Sequence, residues 1–353
     1  MARVWDIPVH DSTRVRDVRV AVEAAGTHVR LDPHRTAVAA LVATELATNL
    51  VKHARGGRVV IDLVDQPGAV TRTPGVQVTA IDYGPGIRDV TAAIRDGYST
   101  SEASLGAGLG TCMRISSGFD LYSTPRGTIA VARVDQEPAM RRERMRKGPT
   151  SGGINVPLGR DDHSGDAWSC ARSGTRLTLM LADGLGHGTK AAHASSAAVD
   201  ELHRSAHLPP EEILRHMHPA LRHTRGAAVA VAQVDTDTGE LAFAGVGNIG
   251  ARLHAGDSWG HLISHPGIVG AQFPATVPVR RVPWGQGSLL VLHSDGLPSR
   301  WVPPTDPDLL THDPALVAAT ILRDASSAAS PVRDDTSVAV LASDPMDRRH
   351  DPA

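Results

Sequence analysis

The stretch RLTLMLADGLGHG at residues 176–188 places one carboxylate between a strand and a helix. The apolar run that ends at Ala182 predicts a buried β-strand, and the residues from Thr189 onward have helical spacing. Asp183 lies at the junction and is followed by the glycines of a tight turn. This pattern predicts a polar site at a strand end.

Three other segments after residue 154 repeat the arrangement. Asp166 precedes a predicted strand, Asp295 follows one, and the pair Asp334 and Asp335 precedes the last one. Carboxylates that converge from several strand ends repel one another and are costly to bury, and a hard divalent cation relieves both penalties. We therefore predict a centre for two Mg²⁺ or Mn²⁺ ions that activates a water toward a phosphate ester. The alternative is four unrelated turn aspartates.

These motifs resemble PPM-type phosphatases of the SpoIIE group, especially the short RsbX-like members. The resemblance rests on SGDAW (164–168), ADGLGHG (182–188), TRGAAVAV (224–231), VGN (246–248), HSDGL (293–297) and RDDTSVAV (333–340). It implies an αββα sandwich with a catalytic Asp183 that bridges two metals. The other implied ligands are Asp166, the carbonyl of Gly184, Asp295 and Asp334. Asp335 either replaces Asp334 as a ligand or supports the ligands from behind.

Some positions depart from that group or stay open. Ser169 stands where many members carry a second acid, which puts a further metal in doubt. His187 would either touch the phosphate or lie in solvent at a helix start. Asn248 would either orient the substrate or only shape its glycine-rich turn.

A second set of motifs lies in the first 135 residues. Glu45 and Asn49 are four residues apart on a predicted helix and so share one face. Asp82 follows a predicted strand within DYGPG (82–86), and the run GAGLG (106–110) precedes a helix whose amides could face a phosphate. No Lys-Ser/Thr follows these glycines, so the run is not a P-loop. Each piece alone is also explained by ordinary helix surfaces and turns.

In this order the pieces resemble the N, G1 and G2 boxes of the histidine-kinase-like (Bergerat) ATPases, in particular the RsbT-like anti-sigma serine kinases. The matching segments are ELATNLVKHA (45–54), DYGPGI (82–87), DGYSTS (96–101) and GAGLGT (106–111). The resemblance implies an α/β sandwich that binds ATP with Mg²⁺. Glu45 would be the general base, Asn49 the Mg²⁺ ligand and Asp82 the adenine reader. The other implied nucleotide-binding residues are Gly84, Gly86, Gly106, Gly108, Gly110 and Thr128.

Composition argues against several other classes of protein. A net charge of −2 and only 3% aromatic residues do not predict nucleic-acid binding. No apolar run is long enough for a membrane span, and residues 1–30 lack the apolar core of a signal peptide. The two cysteines, Cys112 and Cys170, predict reduced thiols rather than a disulfide framework. We therefore expect a cytoplasmic protein without nucleic-acid or membrane partners.

The predicted fold class is α+β, with a Bergerat-type α/β sandwich followed by a PPM-type αββα sandwich. We predict an ATPase domain at 1–135, a solvated linker at 136–153, a phosphatase domain at 154–345 and a tail at 346–353. Predicted helices span 36–54, 189–203 and 211–223; predicted strands span 58–64, 76–81, 128–134, 176–182, 227–234, 241–246, 288–293 and 337–341.

Together the two domains predict a partner-switching regulator with two activities. It would phosphorylate and dephosphorylate a small anti-sigma antagonist protein of the STAS type. The alternative is an ATP-sensing switch that binds its partner without phosphotransfer and gates the phosphatase.

Overall fold

A computed structural model of the chain describes residues 3–65, 74–94, 108–136, 148–159, 163–326 and 334–343. The chain divides into two compact units that meet in sequence at about residue 147. No helix in the described ranges has both the length and the apolar character needed to cross a membrane.

The N-terminal unit is an antiparallel sheet with two long helices against one face. Its elements are β1 (Val4–Val9), α1 (Ser12–His28), α2 (Pro33–His53), β2 (Gly57–Asp65), β3 (Pro74–Ile81), α3 (Val90–Ile94), α4 (Gly108–Ile115), β4 (Gly118–Thr124) and β5 (Gly127–Val134). The strand order is β1-β2-β3-β5-β4. Sequence-adjacent strands pair as hairpins, as expected for an α+β layered unit.

Helix α2 carries the first predicted site and is held by one apolar face. Asp32 caps its start by accepting a hydrogen bond from the Arg35 amide at 2.8 Å, and Pro33 occupies the first turn. Buried alanines and leucines recur at helical spacing and pack in one core with alternate residues of β2, β3 and β5. Glu45 and Asn49 are only partly buried, so they lie beside this core face.

The C-terminal unit contains two five-stranded sheets. Its elements are β6 (Thr150–Val156), β7 (Asp166–Ser173), β8 (Arg176–Gly184), α5 (Thr189–Ser205), α6 (Pro210–Leu221), β9 (Ala227–Asp235), β10 (Glu240–Val246), β11 (Gly250–Ala255), β12 (Ser258–Leu262), β13 (Arg280–Pro283), β14 (Leu289–His293), a 3₁₀ helix (Leu309–Thr311), α7 (Pro314–Ala325) and β15 (Thr336–Ala342). One sheet has the order β13-β10-β9-β8-β7, and the other has the order β12-β11-β14-β15-β6.

The alternation of side chains along β8 shows how the layers form. Leu177, Leu179 and Leu181 point into the core shared by the two sheets. Met180 and Ala182 point to the opposite face, into the core formed with α5 and α6. Helix α7 packs on β6 and β15 of the second sheet. The unit is therefore an αββα sandwich, as predicted.

The structure differs from the predicted linker at its C-terminal end. Strand β6 begins at Thr150, inside the range predicted as linker, and pairs along its length with β15. Its glycines serve packing rather than a turn. A Cβ on Gly153 would lie 2.7 Å from Trp168, and one on Gly152 would lie 2.5 Å from the Ala315 backbone. Residues 137–147 of the predicted linker and the predicted tail lie outside the described residues.

Candidate metal centre and nucleotide site

Two of the predicted aspartates face each other in the first sheet. Strand β7 begins at Asp166 and pairs antiparallel with β8, so that Asp166 lies directly opposite Asp183. Asp166 is 1% exposed, and Asn155 of the second sheet donates from its side-chain amide to the Asp166 carbonyl at 2.9 Å. The pairing register alone brings these two carboxylates together at the end of a hairpin.

The other two predicted ligands come from the second sheet. Asp295 follows β14 and Asp334 precedes β15, and both are exposed. The two segments are tied because the Ser337 amide donates to the Ser294 hydroxyl at 2.9 Å and the Ser294 amide donates to the Ser337 carbonyl at 3.1 Å. Asn248 donates from its amide nitrogen to Oδ2 of Asp295 at 2.7 Å.

The pKa values show that these carboxylates interact. Burial, and next the charge of Asp183, raise the pKa of Asp166 well above its usual value. Burial, followed by the charges of Asp295 and Asp334, raises the pKa of Asp183 to about 7. Asp295 is more exposed, and partial desolvation and the charge of Asp334 also raise its pKa. The charges of residues from four strand ends therefore act on one another.

The donor chemistry of this site fits a hard divalent cation. Oδ2 of Asp166 is buried and has no hydrogen-bond partner among the described residues, a costly state that a cation would relieve. No three His, Cys, Asp or Glu side chains of the described ranges stand close enough, as placed, to hold an ion. The fit to a cation therefore rests on the acidic donor set and on the buried Oδ2 of Asp166. We conclude that these residues suit one or two Mg²⁺ or Mn²⁺ ions.

Asp335 has a different environment from Asp334. It is 5% exposed, and its two oxygens accept hydrogen bonds from the amides of Leu158 and Gly165, both at 2.6 Å. These bonds hold the segment that leads into Asp166. Asp334 is exposed, and among the described residues its Oδ1 accepts one hydrogen bond, from the neighbouring Asp335 amide at 2.8 Å. The geometry therefore favours Asp334 as the ligand and Asp335 as its support.

We expect Asp335→Asn to destabilise the metal-free protein by about 3 kcal/mol, because the amide group would turn a donor toward a backbone N–H. Asp334→Asn is the matched control. It keeps an acceptor for the Asp335 amide and removes a charge that repels Asp183 and Asp295, so it should not destabilise the metal-free protein. Urea unfolding with a chelator present measures both. Equal losses in the two variants would contradict the supporting role.

Two of the predicted nucleotide-binding residues, Gly84 and Thr128, contact Asp82 in the N-terminal unit. Asp82 is 7% exposed, and its Oδ1 accepts hydrogen bonds from the amides of Gly84 at 2.8 Å and Thr128 at 3.0 Å. The Thr128 hydroxyl lies 2.9 Å from that of Ser123, which accepts the Ile87 amide at 2.7 Å. Gly86 has φ +76°, which a glycine adopts without strain. These bonds give the strand end a fixed polar edge.

Glu45 meets the helix that follows the second glycine run. A Cβ on Gly108 would lie 2.8 Å from Oε2 of Glu45, so α4 begins next to this carboxylate. Burial, and then the charge of Glu45, raise the pKa of the Cys112 thiol to about 12. Gly110 is buried in the same helix, whereas Gly106 lies outside the described residues. The C-terminal end of α2 passes beside Asp82, because a Cβ on Gly84 would lie 2.9 Å from Ala54.

Two families match separate parts of the chain. Residues 9–134 match the histidine kinase-like ATPase domain family, and residues 173–343 match the family described as Stage II sporulation protein E (SpoIIE). The chain joins a histidine kinase-like ATPase domain to a SpoIIE-type domain. The SpoIIE match begins after Asp166, so the place of Asp166 in the site rests on its position opposite Asp183.

Individual relatives match each domain. Phosphoserine phosphatase RsbX of Bacillus subtilis (strain 168) is 26% identical over 135 residues, which are 38% of this chain and 67% of RsbX. Serine/threonine-protein kinase RsbT of the same organism is 39% identical over 80 residues, which are 23% of this chain and 56% of RsbT. A crystal structure of RsbX in complex with magnesium aligns with a TM-score of 0.47 and 20% identity over 56% of this chain and 96% of that chain.

The structure shows the surroundings of three residues of the SpoIIE-type domain whose roles the sequence left undecided. Ser169 points away from the aspartates, and its hydroxyl lies 2.9 Å from Nε2 of His203 on α5. Asn248 contacts Asp295 directly, and His187 is exposed on the turn after Asp183. Asn155 and Ser294 also support the site, and neither role was predicted from the sequence. No local pattern marks Asn155, whereas Ser294 could have been noticed because it directly precedes Asp295.

Proposed function

We propose that the SpoIIE-type domain hydrolyses phosphoserine or phosphothreonine on a protein and that the ATPase domain acts on the same protein or a related one. One observation carries the proposal: Asp166 and Asp183 face each other across β7 and β8, with a buried carboxylate oxygen that lacks a partner. An acidic site that repels its own charges is suited to bind a divalent cation and unsuited to bind a phosphate without one.

The residues of this site have separable roles in the proposal. The ions would be held by the carboxylates of Asp166, Asp183, Asp295 and Asp334, with the carbonyl of Gly184 as a further ligand. Two bound metal ions would supply an activated water. Asn248 fixes the orientation of Asp295 through their 2.7 Å hydrogen bond. Asp335 holds the backbone on either side of the segment before Asp166.

The proposed substrate is a small phosphoprotein that antagonises an anti-sigma factor, of the STAS type. The names of the two relatives, a phosphoserine phosphatase and a serine/threonine-protein kinase, support opposing activities on a protein hydroxyl. Both domains in one chain would let one regulator set the phosphorylation state of its partner.

The phosphatase is tested with purified full-length chain, Mn²⁺ and a phosphoserine peptide. Phosphate release that depends on Mn²⁺ and stops with a chelator is the expected result. Mass spectrometry of co-purified proteins, with and without Mn²⁺, would identify the partner and the phosphosites that disappear. Phosphate release that is indifferent to divalent ions would refute the metal-dependent mechanism.

The ATPase domain supports two candidate activities. In the first, Glu45 is a general base, Asn49 holds Mg²⁺ and Asp82 binds the adenine amine, with Gly84, Gly86, Gly108, Gly110 and Thr128 near the nucleotide. In the second, the same residues bind ATP only to switch partner binding. The fixed edge at Asp82 serves both candidates, whereas the contact of Glu45 with the start of α4 favours the first.

We expect Glu45→Gln to slow phosphorylation of the co-purified partner by about a hundredfold or more, since a positioned base contributes on that order. ATP affinity, measured by calorimetry, should change little because the side chain keeps its size. Glu23→Gln is the matched control, because Glu23 is partly exposed on α1 and its carboxylate pairs with Arg19 at 3.0 Å. Wild-type protein that binds ATP without phosphorylating the partner would support the switch instead.

A further inference from the structure

Arg225 lies at the same end of the first sheet as Asp166 and Asp183. It directly precedes Gly226 and β9, whose first residue Ala227 pairs with Gly184 at the end of β8. The Leu185 amide donates to the Gly226 carbonyl at 3.0 Å. The segment that carries Arg225 is therefore tied to the turn that begins with Asp183.

The guanidinium of Arg225 lies against that turn. A Cβ on Gly186 would lie 2.6 Å from Nη1 of Arg225, so the cation occupies the space that any other side chain would need. Gly186 also has φ +86°, a backbone conformation in which a side chain would be strained. The first contact places the guanidinium beside Gly186, which follows Asp183 by three residues in the same turn.

Arg225 has no carboxylate partner despite this position. Within the described parts of the chain it forms no hydrogen bond or ion pair, and its side chain is exposed. Other arginines of the protein are paired, for example Arg176 with Asp235 at 3.4 Å and Arg281 with Glu240 at 2.7 Å. The guanidinium is thus available to an anion that approaches the carboxylate site from solvent.

From this geometry we infer that Arg225 binds the phosphoryl oxygens of a phosphate monoester in the site of the SpoIIE-type domain. The inference rests on the proposed phosphatase activity and adds the residue that positions its substrate. A guanidinium presents parallel N–H donors that match two phosphate oxygens, which a single ammonium cannot do. Arg225 contributes binding and orientation and forms no covalent bond.

The test compares inorganic phosphate binding, with Mn²⁺ present, in wild type, Arg225→Gln and Arg225→Lys by calorimetry. Loss of the charge-assisted bonds should weaken phosphate binding about tenfold to a hundredfold in Arg225→Gln, with a smaller loss in Arg225→Lys. The KM for a phosphoserine peptide should rise by a similar factor. Mn²⁺ affinity without phosphate should stay at the wild-type value.

Arg222→Gln is the matched control, because Arg222 is an exposed arginine three residues away at the end of α6. If wild type is active and Arg225→Gln has the same phosphate affinity and KM as Arg222→Gln, the proposed role of Arg225 is overturned. The phosphatase proposal would then still stand. Tighter Mn²⁺ binding with unchanged phosphate affinity would show that Arg225 only opposes the metal's charge, which also overturns it. Wild type that neither hydrolyses the peptide nor binds phosphate would instead refute the phosphatase.

Discussion

Asp183→Asn is expected to lower Mn²⁺-dependent hydrolysis on the order of a thousandfold, which corresponds to about 4 kcal/mol of transition-state stabilisation. Asp183 lies opposite Asp166, and its carboxylate is the one that the charges of both Asp295 and Asp334 reach. An amide in its place keeps the shape but removes the negative charge that would hold the cations. Steady-state kinetics with a phosphoserine peptide measure the loss.

The same substitution should raise the stability of the metal-free protein. Burial and neighbouring carboxylates raise the pKa of Asp183, so the ionised group is unfavourable in the folded state. Asn removes this cost, and Asp183→Asn should unfold at higher urea concentration than wild type when a chelator is present at about pH 8. A gain in stability together with a loss of activity cannot come from misfolding.

Asp257→Asn is the matched control for both measurements, because Asp257 lies in the exposed turn between β11 and β12. It should retain wild-type hydrolysis and wild-type stability. Full activity of Asp183→Asn, or a loss of activity shared with Asp257→Asn, would remove Asp183 from the mechanism.

Metal-free wild type should lose stability as the pH rises from about 4 to about 7. The pKa of the Asp183 carboxyl rises from 3.8 to about 7 on folding, so in this interval the folded state keeps a proton that the unfolded state has released. Stability therefore falls with increasing pH, and the full penalty is present above about pH 7. The raised pKa values of Asp166 and Asp295 act in the same direction.

Urea unfolding in chelator at about pH 5 and about pH 8 should thus differ by a few kcal/mol, with the lower pH more stable. Added Mn²⁺ should raise stability most at about pH 8, because the ion competes with protons for the same oxygens. Asp183→Asn is the reference, because its stability depends on pH only through the other titratable groups. This dependence should be weaker than that of wild type. If the stability of wild type in chelator changes between about pH 5 and about pH 8 by no more than that of Asp183→Asn, the mutual repulsion of these carboxylates is contradicted.

The elements next to the candidate sites could be predicted because their signals are local. Alternating apolar residues and a turn after Asp183 specify β8 and the helix start almost to the residue. The apolar run of α7 gives no periodicity, since the helix is buried from Pro314 to Arg323 on every side. The glycines of β6 indicate a turn when only the sequence is considered. In the structure they lie in a strand and leave space for Trp168 and for α7.

By itself the sequence determined that four aspartates stand at strand ends and that Glu45 and Asn49 share a helix face, because strand period, helix period and turn chemistry act over a few residues. Only the tertiary structure decided that Asp166 faces Asp183, that Asp335 accepts hydrogen bonds from two backbone amides and that the Arg225 guanidinium lies against Gly186. These contacts depend on the register of strands far apart in sequence and on the packing of the two sheets, which no local pattern contains.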